Sequence, residues 1–229
     1  MPPLNNKRRL ITQHNPRSPI SEAYVKLRTN IELSAVDEPI QVVMTTSANP
    51  GDGKSTTASN LGVVYAQAEK RTLIIDADLR KPTMHHFFVL SNRGGLTSVL
   101  TNQSRFESVV RDTSVPNLQV LTSGPIPPNP SELLSSKRMQ HMLQELRQQY
   151  DVIIIDTPPT LAVADAQIVS TLTDGVLLVL SSGNTKRDLA LKAKASLEHA
   201  KARILGVVLN NMDRKNADAY YYYYGTTEE

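Results

Sequence analysis

The sequence predicts an α/β protein built on a doubly wound, mostly parallel sheet flanked by helices. Three observations carry this. Apolar runs of four to seven residues recur along the chain, separated by longer amphipathic stretches, the alternation that βα units produce. Several runs, such as Val152-Ile153-Ile154-Ile155, are apolar throughout, as strands covered on both faces are. The first run leads into a glycine-rich turn and then a helical stretch, the arrangement at the carboxyl edge of such sheets.

Taken in order, residues 1–19 contain Lys7, Arg8, Arg9 and Arg17 and no acid. They read as a basic flexible arm, with anionic lipid or a membrane partner as the contact it would make if it has one. Ser18 and Pro19 open a helix to about residue 36, with Ser18 as N-cap, Pro19 at the first position and Glu22 in the first turn. Strands are expected over 41–46, 72–76, 118–121, 151–156, 175–180 and 204–209, and helices near 55–69, 131–149, 163–172 and 185–201. These fit one domain over 20–211. Residues 212–229 read as a flexible polar tail that carries Tyr220, Tyr221, Tyr222, Tyr223 and Tyr224 in one block.

Composition removes several classes of function. The 229 residues include no cysteine, so disulfides, thiolate nucleophiles and cysteine-ligated metal sites are excluded. A chain of this length buries a core without such staples. The net charge is only +3, which does not imply a nucleic-acid partner. The apolar runs fall far short of the ~20 residues of a membrane span, and Lys7, Arg8 and Arg9 lead into no apolar signal segment. A cytoplasmic protein is expected.

The strand over 41–46 runs into Ala48-Asn49-Pro50-Gly51-Asp52-Gly53-Lys54-Ser55-Thr56. This is one residue from the strict G-x4-G-K-[ST] phosphate loop, which makes the fold of the P-loop NTPase type. Gly51 and Gly53 let successive N–H groups turn inward as an anion nest, and the following helix adds its positive end. Lys54 is placed to hold the β- and γ-phosphates and Ser55 to ligate Mg²⁺. Residues 49 to 56, namely Asn49, Pro50, Gly51, Asp52, Gly53, Lys54, Ser55 and Thr56, are therefore the candidate nucleotide site. Asn210, ending the last strand, sits where nucleotide sheets often place a base-reading side chain, or is simply a turn residue.

Acids stand at the ends of two further strands. Asp156 precedes Thr157-Pro158-Pro159, and Asp76 and Asp78 lie in Asp76-Ala77-Asp78-Leu79-Arg80-Lys81-Pro82. Ligands gather at the carboxyl ends of parallel strands, so the three acids are expected to converge on one metal phosphate. Of Asp76 and Asp78, one would stand near Mg²⁺ and one near the attacking hydroxyl. Arg80 and Lys81 either steady phosphate or a neighbouring subunit, or pair locally at the surface.

These segments, with residues 122–133 and the tyrosine block, together resemble the bacterial tyrosine kinases of capsule and exopolysaccharide synthesis, in the firmicute form whose transmembrane activator is a separate polypeptide. The resemblance implies an ATP- and Mg²⁺-dependent protein-tyrosine kinase that autophosphorylates its tail. Catalytic residues would be Lys54, Asp76, Asp78 and Asp156. Asp76 would accept the tyrosine proton, and Ser55, Asp78 and Asp156 would act on the metal. Implied partners are the activator, protein tyrosine substrates, a cognate phosphatase and further copies in a ring, with recruitment to the inner membrane face through the activator. The family's ring-forming pattern E-x2-R-x2-R is matched by Glu22 and Arg28, with Val25 at the middle position.

Five successive tyrosines cannot all face a core, so a substrate tail is expected. The eleven residues from Met212 to Tyr222 reach roughly 36–40 Å when extended, far enough to enter a neighbour's site. The alternative is a partition or septum-positioning ATPase switch without kinase activity. Such ATPases typically place lysine where this chain has Asn49, and they lack a tyrosine tail.

Overall fold

The computed structural model describes residues 10–35 and 39–212. In chain order the elements are α1 (Ile11–His14), α2 (Pro19–Leu33), β1 (Val42–Ser47), α3 (Lys54–Gln67), β2 (Thr72–Asp76) and α4 (Met84–Phe87). Then come α5 (Leu96–Leu100), α6 (Phe106–Val109), β3 (Arg111–Asp112), β4 (Leu118–Leu121), α7 (Pro130–Leu134) and α8 (Lys137–Leu146). The chain continues through β5 (Val152–Asp156), α9 (Asp165–Ser170), β6 (Gly175–Ser181), α10 (Arg187–His199) and β7 (Ile204–Asn210).

The strands form one sheet in the order β3-β4-β2-β5-β1-β6-β7. Every pairing is parallel except that of β3 with β4. Strand β1 is the fifth of the seven, with β5 on one side and β6 on the other, and the chain reverses its winding there. That switch point opens the crevice in which such sheets bind ligands. All residues of β1, β2 and β5 are buried, and successive side chains feed opposite faces. Met44, Ile75 and Ile155 pack in a core with Leu134, Met139, Leu143, Val169 and Leu197. Val43, Ile74 and Ile154 pack in the other core with Leu61, Val64 and Tyr65 of α3 and Tyr24 and Ile31 of α2. Unbroken aliphatic strands are what two covered faces require.

The six expected strands form within one residue of their expected bounds. The helix expected over 131–149 is instead two: α7 ends at Leu134 and Ser136 caps α8 by accepting a hydrogen bond from Met139 N. The two-residue β3 and the short α1, α4, α5 and α6 carry too little periodicity to be read from sequence.

The basic arm expected over 1–19 needs correction. From residue 10 on the chain is folded: Leu10 and Thr12 are buried. Thr12 N and Oγ1 both donate to Asn60 Oδ1, at 3.2 and 2.9 Å, and Gln67 Nε2 donates to Thr12 O at 3.1 Å. This strap fastens α1 onto α3, the helix that follows the phosphate loop. Lys7, Arg8 and Arg9 lie outside the described residues, as do Tyr220 to Tyr224.

Candidate active site

The phosphate loop leaves β1 and enters α3. Gly51 and Gly53 take φ of +87° and +100°, the left-handed region that favours glycine. A Cβ on Gly53 would also stand 1.8 Å from Asn210 Nδ2. The buried Asp52 braces the loop: Oδ2 accepts from Asn49 N at 2.9 Å and Oδ1 from Thr185 Oγ1 at 2.8 Å. Asn210 Nδ2 donates to the Asp52 carbonyl at 3.0 Å. Asn210 thus lies against the loop from the end of β7. Pro50 and Gly51 are exposed and Thr56 is half-buried in the first turn of α3.

Lys54 folds back into the sheet's carboxyl edge. Its Nζ lies 2.9 Å from Asp78 Oδ2, 3.4 Å from Asp156 Oδ2 and 3.1 Å from Ser55 Oγ. Ser55 Oγ donates to Asp156 Oδ2 at 2.6 Å. Asp76 and Asp156 are register partners at the ends of β2 and β5, and both are completely buried. Asp76 organises the loop after β2: its Oδ2 accepts from Thr83 N at 3.0 Å and Met84 N at 2.9 Å, and its Oδ1 from Asp78 N at 3.2 Å. Asp78 Oδ1 accepts from Lys81 N at 3.0 Å. The structure therefore brings Lys54, Ser55, Asp76, Asp78 and Asp156 into one buried cluster.

The electrostatics follow from crowding. Burial pushes the Asp76 carboxyl up to about 7, and neighbouring Asp156 adds to the shift. Burial likewise raises Asp156, against the pull of Lys54 and the Ser55 hydrogen bond. Lys54 is desolvated too, which works against its charge, but Asp156 and Asp78 outweigh this and hold it above the ordinary lysine value. Lys54 keeps its charge, because three carboxyls crowd around one ammonium and one of them keeps its proton.

Two predicted residues point elsewhere. Arg28 Nη1 donates to the Val64 carbonyl in the last turn of α3 at 2.9 Å, with Glu32 3.9 Å away. Glu22 is exposed in the first turn of α2. Arg80 forms a local pair, but with a buried partner that sequence reasoning missed: Asp165 at the start of α9. Asp52 was assigned to the loop, yet its partner Thr185 was not. No spacing announces either Asp165 or Thr185, because each lies on another βα connection.

The sequence and the fold match known proteins. A family model described as an AAA domain matches residues 40–187. The tyrosine-protein kinase YwqD of Bacillus subtilis (strain 168) is 51% identical over 222 residues, covering 97% of this chain and 93% of that protein. The chain belongs to the bacterial tyrosine-protein kinases. It is a protein-tyrosine kinase on a nucleotide-binding P-loop fold. Among solved structures, the chimerical protein CapA2B2 superposes with a TM-score of 0.86 at 47% identity, covering 89% of each chain. The septum site-determining protein MinD from Pyrococcus horikoshii OT3, at 22% identity and a TM-score of 0.65, shares the fold alone, so the switch-ATPase alternative is not favoured over the tyrosine kinase. No helix among the described residues is long and apolar enough to cross a membrane.

Proposed function

We propose that the Lys54 cluster transfers the γ-phosphoryl group of ATP to tyrosine, and that Tyr220 to Tyr224 of another copy are its first acceptors. The observation that carries this is the meeting of Lys54 Nζ with Asp78 and Asp156 at the mouth of the phosphate loop. Residues 49–56 would cradle the phosphates through backbone N–H groups, with Lys54 drawn onto the β- and γ-oxygens. Asn210, already against the loop, would read the base.

The residues fit Mg²⁺. Among the described residues no three His, Cys, Asp or Glu side chains form a ready cage. Mg²⁺ needs none, since it keeps waters and takes one or two carboxylates beside substrate phosphates. Ser55, Asp78 and Asp156 would hold it, and it would supply charge neutralisation of the transferring group. Asp76, buried at the end of β2 beside Asp156, is the carboxylate proposed to take the phenol proton. In the transfer the phenol oxygen bonds to γ-phosphorus, the bond from γ-phosphorus to the ADP oxygen breaks, and the phenol proton passes to Asp76. Positioning and charge stabilisation carry most of the acceleration.

The cellular setting proposed is capsule or exopolysaccharide synthesis. The kinase would be recruited to the inner membrane face by a transmembrane activator and reset by a phosphatase. Glu22 and Arg28 are proposed to contribute to a ring of copies. The domain limits proposed are a kinase domain to residue 211 and a substrate tail over 212–229.

The test mixes two chains. A Lys54→Met chain with its tail intact should be labelled by an active chain lacking 220–224, with phosphotyrosine detected by antibody and mapped by mass spectrometry. Absence of label on the Lys54→Met chain, with the active partner competent on other tyrosine substrates, would refute transfer between copies.

A further inference from the structure

Arg80 sits two residues beyond Asp78, and its guanidinium is fixed by two other connections of the sheet. Arg80 Nε donates to Asp165 Oδ2 at 2.8 Å and Nη2 to Asp165 Oδ1 at 3.0 Å. Ser131 Oγ, at the start of α7, donates to Asp165 Oδ1 at 2.6 Å and accepts from Arg80 Nη2 at 3.1 Å. The Asp165 side chain is fully buried, while that of Arg80 is 38% exposed. A two-pronged guanidinium–carboxylate pair is directional and not replaced by a lysine. Breaking it leaves a buried charge without its partner.

The segment this pair holds is the one that aims Asp78. Leu79 is fully buried, and Asp78 Oδ1 closes a turn onto Lys81 N while Oδ2 reaches Lys54. Arg80 lies inside that turn. At the near end, Asp76 grips Thr83 N and Met84 N. The Asp78 carboxylate is thus suspended between an anchor beneath it, Asp76, and an anchor beside it, Asp165.

We propose that Asp165, seconded by Ser131, is a positioning residue for phosphoryl transfer: by clamping Arg80 it sets which way the Asp78 carboxylate faces Lys54. This rests on the role given to Asp78 above. Asp165 touches no reacting atom, and its effect passes through Arg80 and the 78–81 turn.

The experiment is a double-mutant cycle on the full chain. Asp165→Asn keeps the shape and removes the charge, and should slow tail phosphorylation about tenfold, the usual scale for residues that orient a ligating group. In an Asp78→Asn background the same change should cost less than about twofold, because residues acting as one unit do not multiply their losses. In nucleotide-free protein, Lys54 should acylate several-fold faster in Asp165→Asn, read by mass spectrometry against the exposed Lys194 as reference. A native rate in Asp165→Asn, losses that multiply across the cycle, or unchanged Lys54 labelling would each overturn the proposal. If Asp78→Asn alone is as fast as native, the assignment of Asp78 fails instead, and the clamp falls with it. Should Asp165→Asn fail to fold, Arg80→Gln enters the same cycle from the solvent side of the pair.

Discussion

Lys54 faces Asp78 and Asp156 with Asp76 behind them, so the cluster holds more carboxyls than one ammonium can neutralise. The surplus has a sign that can be measured. Asp76 titrates at about 7 when folded against an ordinary 3.8. Its contribution to stability is therefore fully present below pH ~4 and is lost as pH rises through about 7. The nucleotide-free protein should melt at a lower temperature at pH 7.5 than at pH 5, and Asp76→Asn should flatten that slope. Asp151 and Asp174 are lowered by their Arg71 and Arg147 partners, so their contributions fade only in stronger acid. Burial raises Asp156 as well, so part of the slope should survive in Asp76→Asn. A slope equal to native in Asp76→Asn would assign the titration to another group. The same crowding predicts that Mg²⁺ binding displaces a proton. Its affinity should then weaken below pH 7, and calorimetry in buffers of different ionisation enthalpy would show the release.

Short connections do the aligning at the scale of elements. Helix α2 meets α3 through Arg28, whose hydrogen bond satisfies the Val64 carbonyl where the helix ladder runs out. Arg28→Ala should cost about 1 kcal/mol and lower the melting temperature roughly 2–4 °C, even in dilute protein where no ring can form. A melting temperature unchanged in dilute protein would return Arg28 to a purely intersubunit role. The loop before α3 is the more delicate element. Gly53→Ala forces a side chain into φ +100°, costing roughly 1–2 kcal/mol, and drives its Cβ into Asn210. The melting temperature should fall, and adding Asn210→Ala should recover only the part due to overlap. Full recovery would show that the backbone is not strained by the change.

At the scale of the whole molecule, the sheet presents its nucleotide cluster at one end of β1, and the chain leaves β7 through Asn210 beside that same cluster. The tyrosines that follow are ten to fourteen residues farther along the sequence. Each phosphate adds about −1.5 to −2 charges, so a modified block would be repelled by a site built from Asp76, Asp78 and Asp156. Phosphorylated protein should therefore form smaller assemblies than unphosphorylated protein, by light scattering at matched concentration. Equal masses in both states would detach tail charge from assembly.

Strand positions, the loop over 49–56 and the acids at 76, 78 and 156 were legible because each is a local signal. An aliphatic run marks a doubly covered strand, and a glycine-rich turn before a helix marks an anion nest. Carboxylates closing strands point to the edge where ligands collect. Helix α1 was misjudged as part of a loose arm because its hold on α3 depends on Thr12 finding Asn60, a pairing across 48 positions with no periodic trace. The same limit hid Asp165, Ser131 and Thr185, whose partners sit on other βα connections. Arg28 was visible as a charge on a helix but not as a cap for another helix. The sequence by itself determined which segments become strands and which chemistry stands at their ends, since burial and backbone conformation are written into neighbouring residues. Only the tertiary structure decided which connections lie side by side, and so which carboxylate Lys54 grips and which one Arg80 grips. That choice depends on strand order and winding, which bring together residues the chain keeps far apart.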